Sequence, residues 1–185
     1  MIETIFLTLI ISKIRGYKLK LILKEWTFYP VIFLTLIYIV INVTMFCGYY
    51  GFVKYSKILE VIYLSTFLFL IFKYELYNSA IIGSVFVFMG TALNKIAINI
   101  NGGHMPVFPS ISYYIRKDNI DLFAKASDLH VLGNRLTKVK ILTDYIDLGY
   151  SILSIGDIFI RCFTFIIILN AIKYINKENS LSVDS

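Results

Sequence analysis

Residues Thr27 to Cys47 form a run of 21 amino acids without a single charge. A helix of that length reaches across a hydrocarbon layer of about 30 Å, which a soluble domain has no reason to match. Four further apolar runs follow the same logic: 2–14, 58–72, 79–100 and 148–172. The first is short and needs Arg15 to snorkel or the bilayer to thin. The fourth is broken only by Asn94-Lys95 near its end, and the fifth contains Asp157 and Arg161. Composition agrees, with 58% apolar and only 16% charged residues among 185 and a mean hydropathy of +0.75. Soluble domains carry about a quarter charged residues. The expected fold is therefore all-α: one polytopic transmembrane helix bundle of about five spans, occupying residues 1–185.

Charge sets the expected orientation. Lys13, Arg15, Lys18, Lys20 and Lys24 crowd one short loop, which places that loop in the cytoplasm and the N-terminus outside. The N-terminus does not read as a cleavable signal, because Glu3 stands where a basic segment belongs and no small-x-small site follows. The long connection 101–147 then lies outside, with six basic and five acidic residues. Ile120, Phe123, Ala126 and Leu129, and after Gly133 the series Leu136, Val139, Leu142 and Ile146, recur at helical spacing. They predict two amphipathic helices on the membrane surface or over the bundle mouth. A polar tail, 176–185, is expected to fray. The net charge of +6 follows from loops flanking spans, and no basic stripe interleaves with aromatics in a polar setting, so nucleic acid is not an expected partner. Many tyrosines lie near predicted span ends, as an interfacial aromatic belt requires.

Polar chemistry concentrates in two places. In Asn101-Gly102-Gly103-His104-Met105-Pro106 a membrane helix meets paired glycines, which permit positive φ, and then a proline that stops it resuming. This reads either as a helix cap and turn or as a backbone nest for a ligand or ion. The second place is Ser154-Ile155-Gly156-Asp157. An ionisable residue inside a span is costly, so it calls for a partner. Lys95 lies six residues, about 9 Å, before Asn101, and Asp157 about 13 Å into its own run, so the two match in depth. Arg161, four residues on, is the rival partner. A structural ion pair, an ion-coupled site and a polar pocket all remain open there.

Other sites fare less well. His104, His130, Asp144 and Asp147 match no metal-ligand spacing. Cys47 and Cys162 form no paired motif and read as buried apolar thiols. His104 follows Gly103 directly and no Cys lies between it and Cys162, so the nucleophile–base pair of a membrane cysteine peptidase is missing. No cofactor is expected.

Taken in order, Gly90-Thr-Ala-Leu-Asn94, Asn101-Gly-Gly-His-Met-Pro-Val107, His130, Leu142-Thr-Asp144 and Ser154-Ile-Gly-Asp157 resemble a bacterial family of unknown function. That family consists of small polytopic membrane proteins with an Asn-Gly-Gly-x-Met-Pro signature and a later Ser-x-Gly-Asp. Position 104 is His where the family commonly has Arg, so a fixed charge is not carried over. The resemblance implies a shared fold and site but no reaction. It groups Asn94, Asn101, Gly102, Gly103, Met105, Pro106, Gly156 and Asp157 into one site.

The expected function is non-enzymatic. A multi-pass protein of the bacterial cytoplasmic membrane would bind a ligand or partner at a polar site near the outer ends of spans four and five. Lys95, His104 and Ser154 join that site as candidates. Small-solute transport and an accessory role to a transporter or signalling complex are its concrete forms. Besides the lipid bilayer, a membrane-protein partner or a second copy is the expected company. A membrane-embedded enzyme acting on a lipid or peptide is the alternative, with His104, His130, Asp144 and Asp157 as acid–base candidates; a structural subunit of a membrane complex is another. The first two separate on one point: whether a histidine turns onto Asp144 or Asp157.

Overall fold

A computed structural model describes residues 1–47, 49, 51–52, 55–115 and 129–181. Helices occupy all five predicted runs: α1 (Ile2–Ile14), α2 (Tyr29–Phe46), α3 (Ser56–Lys73), α4 (Tyr77–Ile100) and, at the end of the chain, a helix over Ile155–Leu181. Between α4 and that last helix lie β1 (Met105–Val107), the short α5 (Ile111–Ile115), β2 (His130–Leu132), β3 (Ile146–Asp147) and β4 (Ile152–Leu153). The last helix is therefore α6. Three segments are long and apolar enough to cross a membrane: Trp26–Phe46, Tyr77–Ile100 and Ile155–Leu181. These mark a membrane protein. α1 has only 13 residues, and α3 carries Lys57, Glu60 and Lys73, so neither is among the three described segments that length and composition mark as spans.

Three expectations need correction. The fifth apolar run is not one helix from Leu148: its first part is the β3–β4 hairpin, and α6 starts only at Ile155. The tail does not fray at 176, since α6 continues through Leu181. The segment after Gly133 is not an amphipathic helix. It makes turns, a single 3-10 turn at Lys140–Leu142 and then β3, so the fold is mostly helical with short strands rather than purely all-α. The helix predicted around Ile120 to Ala126 falls outside the described residues.

The chain forms two compact units, and the division falls within α2, α4 and α6. The first comprises Met1–Ile39, Ile58–Phe86 and the chain from Arg161. Its core is aliphatic and aromatic, with Leu70, Ile167 and Ile172 fully buried. Edge-to-face contacts link Tyr38 to Tyr63 (5.5 Å), Tyr63 to Phe67 (5.2 Å) and Phe67 to Phe163 (5.7 Å). α1 is inverted relative to a soluble helix. It buries Thr4, Thr8 and Ser12, one per turn, and exposes Phe6, Leu7, Ile10 and Ile14. Gly16, at φ +79°, ends it: Gly16 N–H donates to the Lys13 carbonyl and Tyr17 N–H to that of Ser12. Thr27 bonds the Tyr74 hydroxyl, which donates to Glu25.

The second unit comprises Val40–Lys57 and Val87–Ile160. At its centre β1 pairs in parallel with β2, Met105 opposite His130 and Val107 opposite Leu132. On its other edge β1 bridges to Asp144, whose N–H donates to the Pro106 carbonyl while Phe108 N–H donates to the Asp144 carbonyl. β3 and β4 form an antiparallel hairpin turned at Gly149, φ +84°. Cys47 is exposed, not buried as its apolar run suggested, and Cys162 is half-buried.

Candidate functional site

The Asn101–Pro106 segment is a helix stop that feeds a strand. Gly103 N–H reaches back to the Ile98 carbonyl at 2.9 Å while Gly102 sits at φ +72°, the pairing of a Schellman ending. Gly103 lies at φ +90°, and a Cβ on either glycine would meet nothing. Backbone conformation alone demands glycine there. Asn101 acts as a latch: its Oδ1 accepts from Lys138 N–H (2.9 Å), and its Nδ2 donates to the Lys138 carbonyl (3.1 Å) and to the Ala97 carbonyl (2.8 Å). His104 is exposed, whereas Met105, Pro106 and Val107 are buried in β1. The six residues the sequence grouped thus divide between a turn, a latch and a core strand.

The Ser-Ile-Gly-Asp string is an N-terminal cap. Ser154 precedes α6, and Asp157 is its third residue. Asp157 N–H donates to Ser154 Oγ at 3.0 Å, and Ser154 N–H donates to Asp157 Oδ2 at 2.9 Å, which is a reciprocal capping box. Asn94 of α4 closes the ring. Its Nδ2 donates to Asp157 Oδ1 (2.9 Å), and its Oδ1 accepts from Ser154 Oγ (2.7 Å). The negative charge sits at the positive end of α6, where the peptide dipoles favour it. Gly156 and Gly90 allow this approach. A Cβ on Gly156 would stand 2.0 Å from Asn94 Oδ1, and one on Gly90 2.4 Å from the Gly156 carbonyl.

The predicted Lys95–Asp157 pair does not form: Lys95 is exposed on α4, and Asp157 is held by Asn94 and Ser154. The rival, Arg161, pairs instead with Glu3 of α1. Nothing local could reveal that contact, which joins residues 158 apart.

A histidine does turn onto a carboxylate. His130 Nε2 lies 3.4 Å from Asp144 Oδ2, the imidazole about 30% exposed and the aspartate side chain 7%. Burial raises the Asp144 carboxyl above its usual range, and the Asp157 charge adds to this against the opposing His130 contact. Asp147, three residues on, is held differently. Its Oδ2 accepts from Ser110 N–H (2.7 Å) and Ser112 N–H (2.8 Å), and its Oδ1 from Gly149 N–H (2.8 Å). Burial alone would raise that carboxyl, but Ser112 through its hydroxyl and N–H, with Gly149 and Ser110, outweighs it and lowers it. In the sequence these three residues match no metal-ligand spacing. Among the described residues no group of three His, Cys, Asp or Glu side chains is placed to hold a metal.

A model of a family of unknown function, DUF5317, matches residues 19–169. The chain belongs to that family. No curated protein and no solved structure matches it. The DUF5317 match contains every candidate residue from Asn94 to Asp157, together with His130, Asp144 and Asp147. It also contains Arg161, while Glu3 lies ahead of its start. The Asn94–Ser154–Asp157 ring, the Asn101 latch and the Gly90–Gly156 approach are thus features of the portion shared with DUF5317. Gly90 was quoted among the motif residues but not as a site residue; its helical spacing of four to Asn94 was the available signal.

Proposed function

We propose that the chain is a multi-pass integral membrane protein that binds a small polar ligand, or a polar group of a partner, where His130 meets Asp144. Three helices long and apolar enough to span support the membrane part. So does α1, whose polar residues face in and whose large apolar residues face out, the reverse of what water demands. With all five helices crossing a bacterial cytoplasmic membrane, the basic 13–24 loop on the inner side puts residues 101–147 on the outer side.

The observation that carries the site is the His130–Asp144 pair. A partly exposed imidazole against a buried carboxylate of raised proton affinity exchanges a proton with a bound group without backbone movement. The hydrogen bonds of Asn94, Ser154 and Asp157 are largely spent on one another, so these residues form the frame, as do Asn101, Gly102 and Gly103. Small-solute transport and an accessory role to a transporter or signalling complex both fit such a site. The same pair also favours a second reading, a membrane-embedded enzyme in which His130 is the general base and Asp144 positions it.

The test is a mild-detergent pull-down from native membranes, with lipid, solute and protein mass spectrometry on wild type, His130→Gln and Asp144→Asn. A molecule retained by wild type and lost from both variants, with thermal stability unchanged, supports the site. An unchanged set of retained molecules in both variants sinks it. A retained molecule that wild type alone chemically converts selects the enzyme reading.

A further inference from the structure

Residues 134–141, Asn-Arg-Leu-Thr-Lys-Val-Lys-Ile, present a surface unlike the rest of the second unit. Three cations alternate with three large apolar side chains, and no acidic residue interrupts them. Arg135, Lys138 and Lys140 are exposed. So are Leu136 (85%), Ile141 (60%) and Val139 (45%). A water-facing loop has no reason to show three large apolar groups within six residues.

Where this loop sits is fixed by a side chain already described. Asn101 is the residue immediately after α4, a helix long and apolar enough to span, and it holds both the N–H and the carbonyl of Lys138. The span's end and the middle of the loop are therefore one side chain apart. Asn134 caps the turn from within, its Oδ1 accepting from Leu136 N–H and its N–H donating to Thr137 Oγ1. Val139 takes φ +47°, which few β-branched residues adopt. Lys140 rests over the Phe108 ring, Nζ 4.2 Å from its centre. The loop is thus held in one shape beside the end of α4.

We infer that 134–141 is a membrane-interface clamp: Leu136, Val139 and Ile141 enter the acyl boundary, and Arg135, Lys138 and Lys140 bind anionic phospholipid headgroups. Alternating cations and apolar groups at the headgroup level match an anionic lipid surface in both charge and polarity. The inference rests on α4 crossing the membrane and is independent of the His130–Asp144 site.

The experiment uses the full chain with Cys47 and Cys162 replaced by alanine, reconstituted into phosphatidylcholine discs with and without phosphatidylglycerol. A fluorophore is placed at Leu136→Cys or, as an internal control, at Phe88→Cys in the exposed middle of α4. Nitroxide lipids and aqueous iodide serve as quenchers. At position 136 we expect quenching by headgroup-level nitroxide to exceed quenching by iodide and to grow with phosphatidylglycerol. Replacing Arg135, Lys138 and Lys140 by glutamate removes that growth, and each single replacement weakens the phosphatidylglycerol preference roughly five-fold at low salt. If position 88 is quenched by deep nitroxide while position 136 answers to iodide, the clamp is overturned and the membrane reading stands. If both positions answer to iodide, both fall. Shielding of position 136 from both quenchers means that a protein covers the loop, and lipid quenching indifferent to phosphatidylglycerol rejects the headgroup assignment; either result overturns the inference.

Discussion

Asp157 and Arg161 stand one helical turn apart on α6, yet they belong to different units and are satisfied in different ways. In the first unit Arg161 meets Glu3, charge against charge, beside a core of aromatic and aliphatic side chains with buried threonines such as Thr8, Thr27 and Thr164. In the second, Asp157 meets no cation among the described residues. The Asn94 amide and the Ser154 backbone N–H share its charge, and Asp147 is likewise held by three backbone N–H groups. A single ion pair tolerates sliding, because Coulomb attraction depends weakly on direction. A ring of short hydrogen bonds does not, because each bond depends on angle as well as distance. The first unit is thus built to pack and the second to hold a geometry, which is why the ligand-binding proposal belongs to the second.

The contrast is broken most severely at the glycines. A side chain at Gly156 would stand 2.0 Å from Asn94 Oδ1 and 2.6 Å from the Gly90 carbonyl, which is backbone and cannot step aside. Gly156→Val and Gly90→Val are expected to cost about 3 kcal/mol or more, the upper end of overpacking. The measurement is thermal unfolding in detergent together with cleavage by protease in 134–141. Early cleavage there, at a temperature where the helices still give full circular dichroism, is the expected result. Native resistance in both variants would mean that the ring is not fixed by the close approach of α4 and α6.

The Glu3–Arg161 pair gives the next largest effect. Arg161→Ala leaves the part-buried Glu3 carboxylate with the N-terminal ammonium, 2.7 Å away, as its remaining cation and is expected to lower stability by about 1 kcal/mol. Glu3→Ala should act similarly, and the double variant should lose less than the sum of the two. Strict additivity in thermal unfolding would show that the two side chains do not share an interaction. The second unit should be spared: protease resistance of 134–141 should stay at the wild-type level in all three variants.

These two regions also differ in how far the sequence exposed them. Helices fall on the apolar runs because a long apolar segment satisfies its backbone best as a helix: 2–14 matches α1, and 79–100 lies within α4. The start of α6 was misplaced for the same reason. Leu148 to Leu153 is apolar enough to extend a span, but its residues belong to a hairpin. Ser154-x-x-Asp157 ahead of an apolar run is itself a helix-start signal, and it outranks hydropathy at that boundary. The family resemblance had already grouped Asn94 with Asp157, whereas the Asn101–Lys138 latch and the Glu3–Arg161 pair are long-range contacts of which one chain read alone carries no trace. The His130–Asp144 pair was half visible: both residues stood out as ionisable groups, but their meeting depends on a strand pairing of three residues, too short to leave a periodic pattern.

The smallest effect lies within the second unit, between carboxylates three residues apart. Asp147 is lowered by its N–H donors, against burial, so the stability it contributes is present above the ordinary carboxylate value of 3.8 and is lost as pH falls through its depressed folded value. Asp144 is raised by burial, with help from the Asp157 charge, so its contribution has the opposite sign. It is complete below 3.8 and is lost as pH rises through the elevated folded value. Protease resistance of 134–141 should therefore pass through a maximum in the acid range and decline on either side. Asp144→Asn removes the titrating group and should flatten the decline on the alkaline side while leaving the acid side intact. Asp147→Asn should weaken resistance at neutral pH and abolish the acid-side decline. A profile that Asp144→Asn leaves unchanged would show that the buried carboxyl does not report the protonation of its own unit, and would remove the proton-exchange argument for His130 with it.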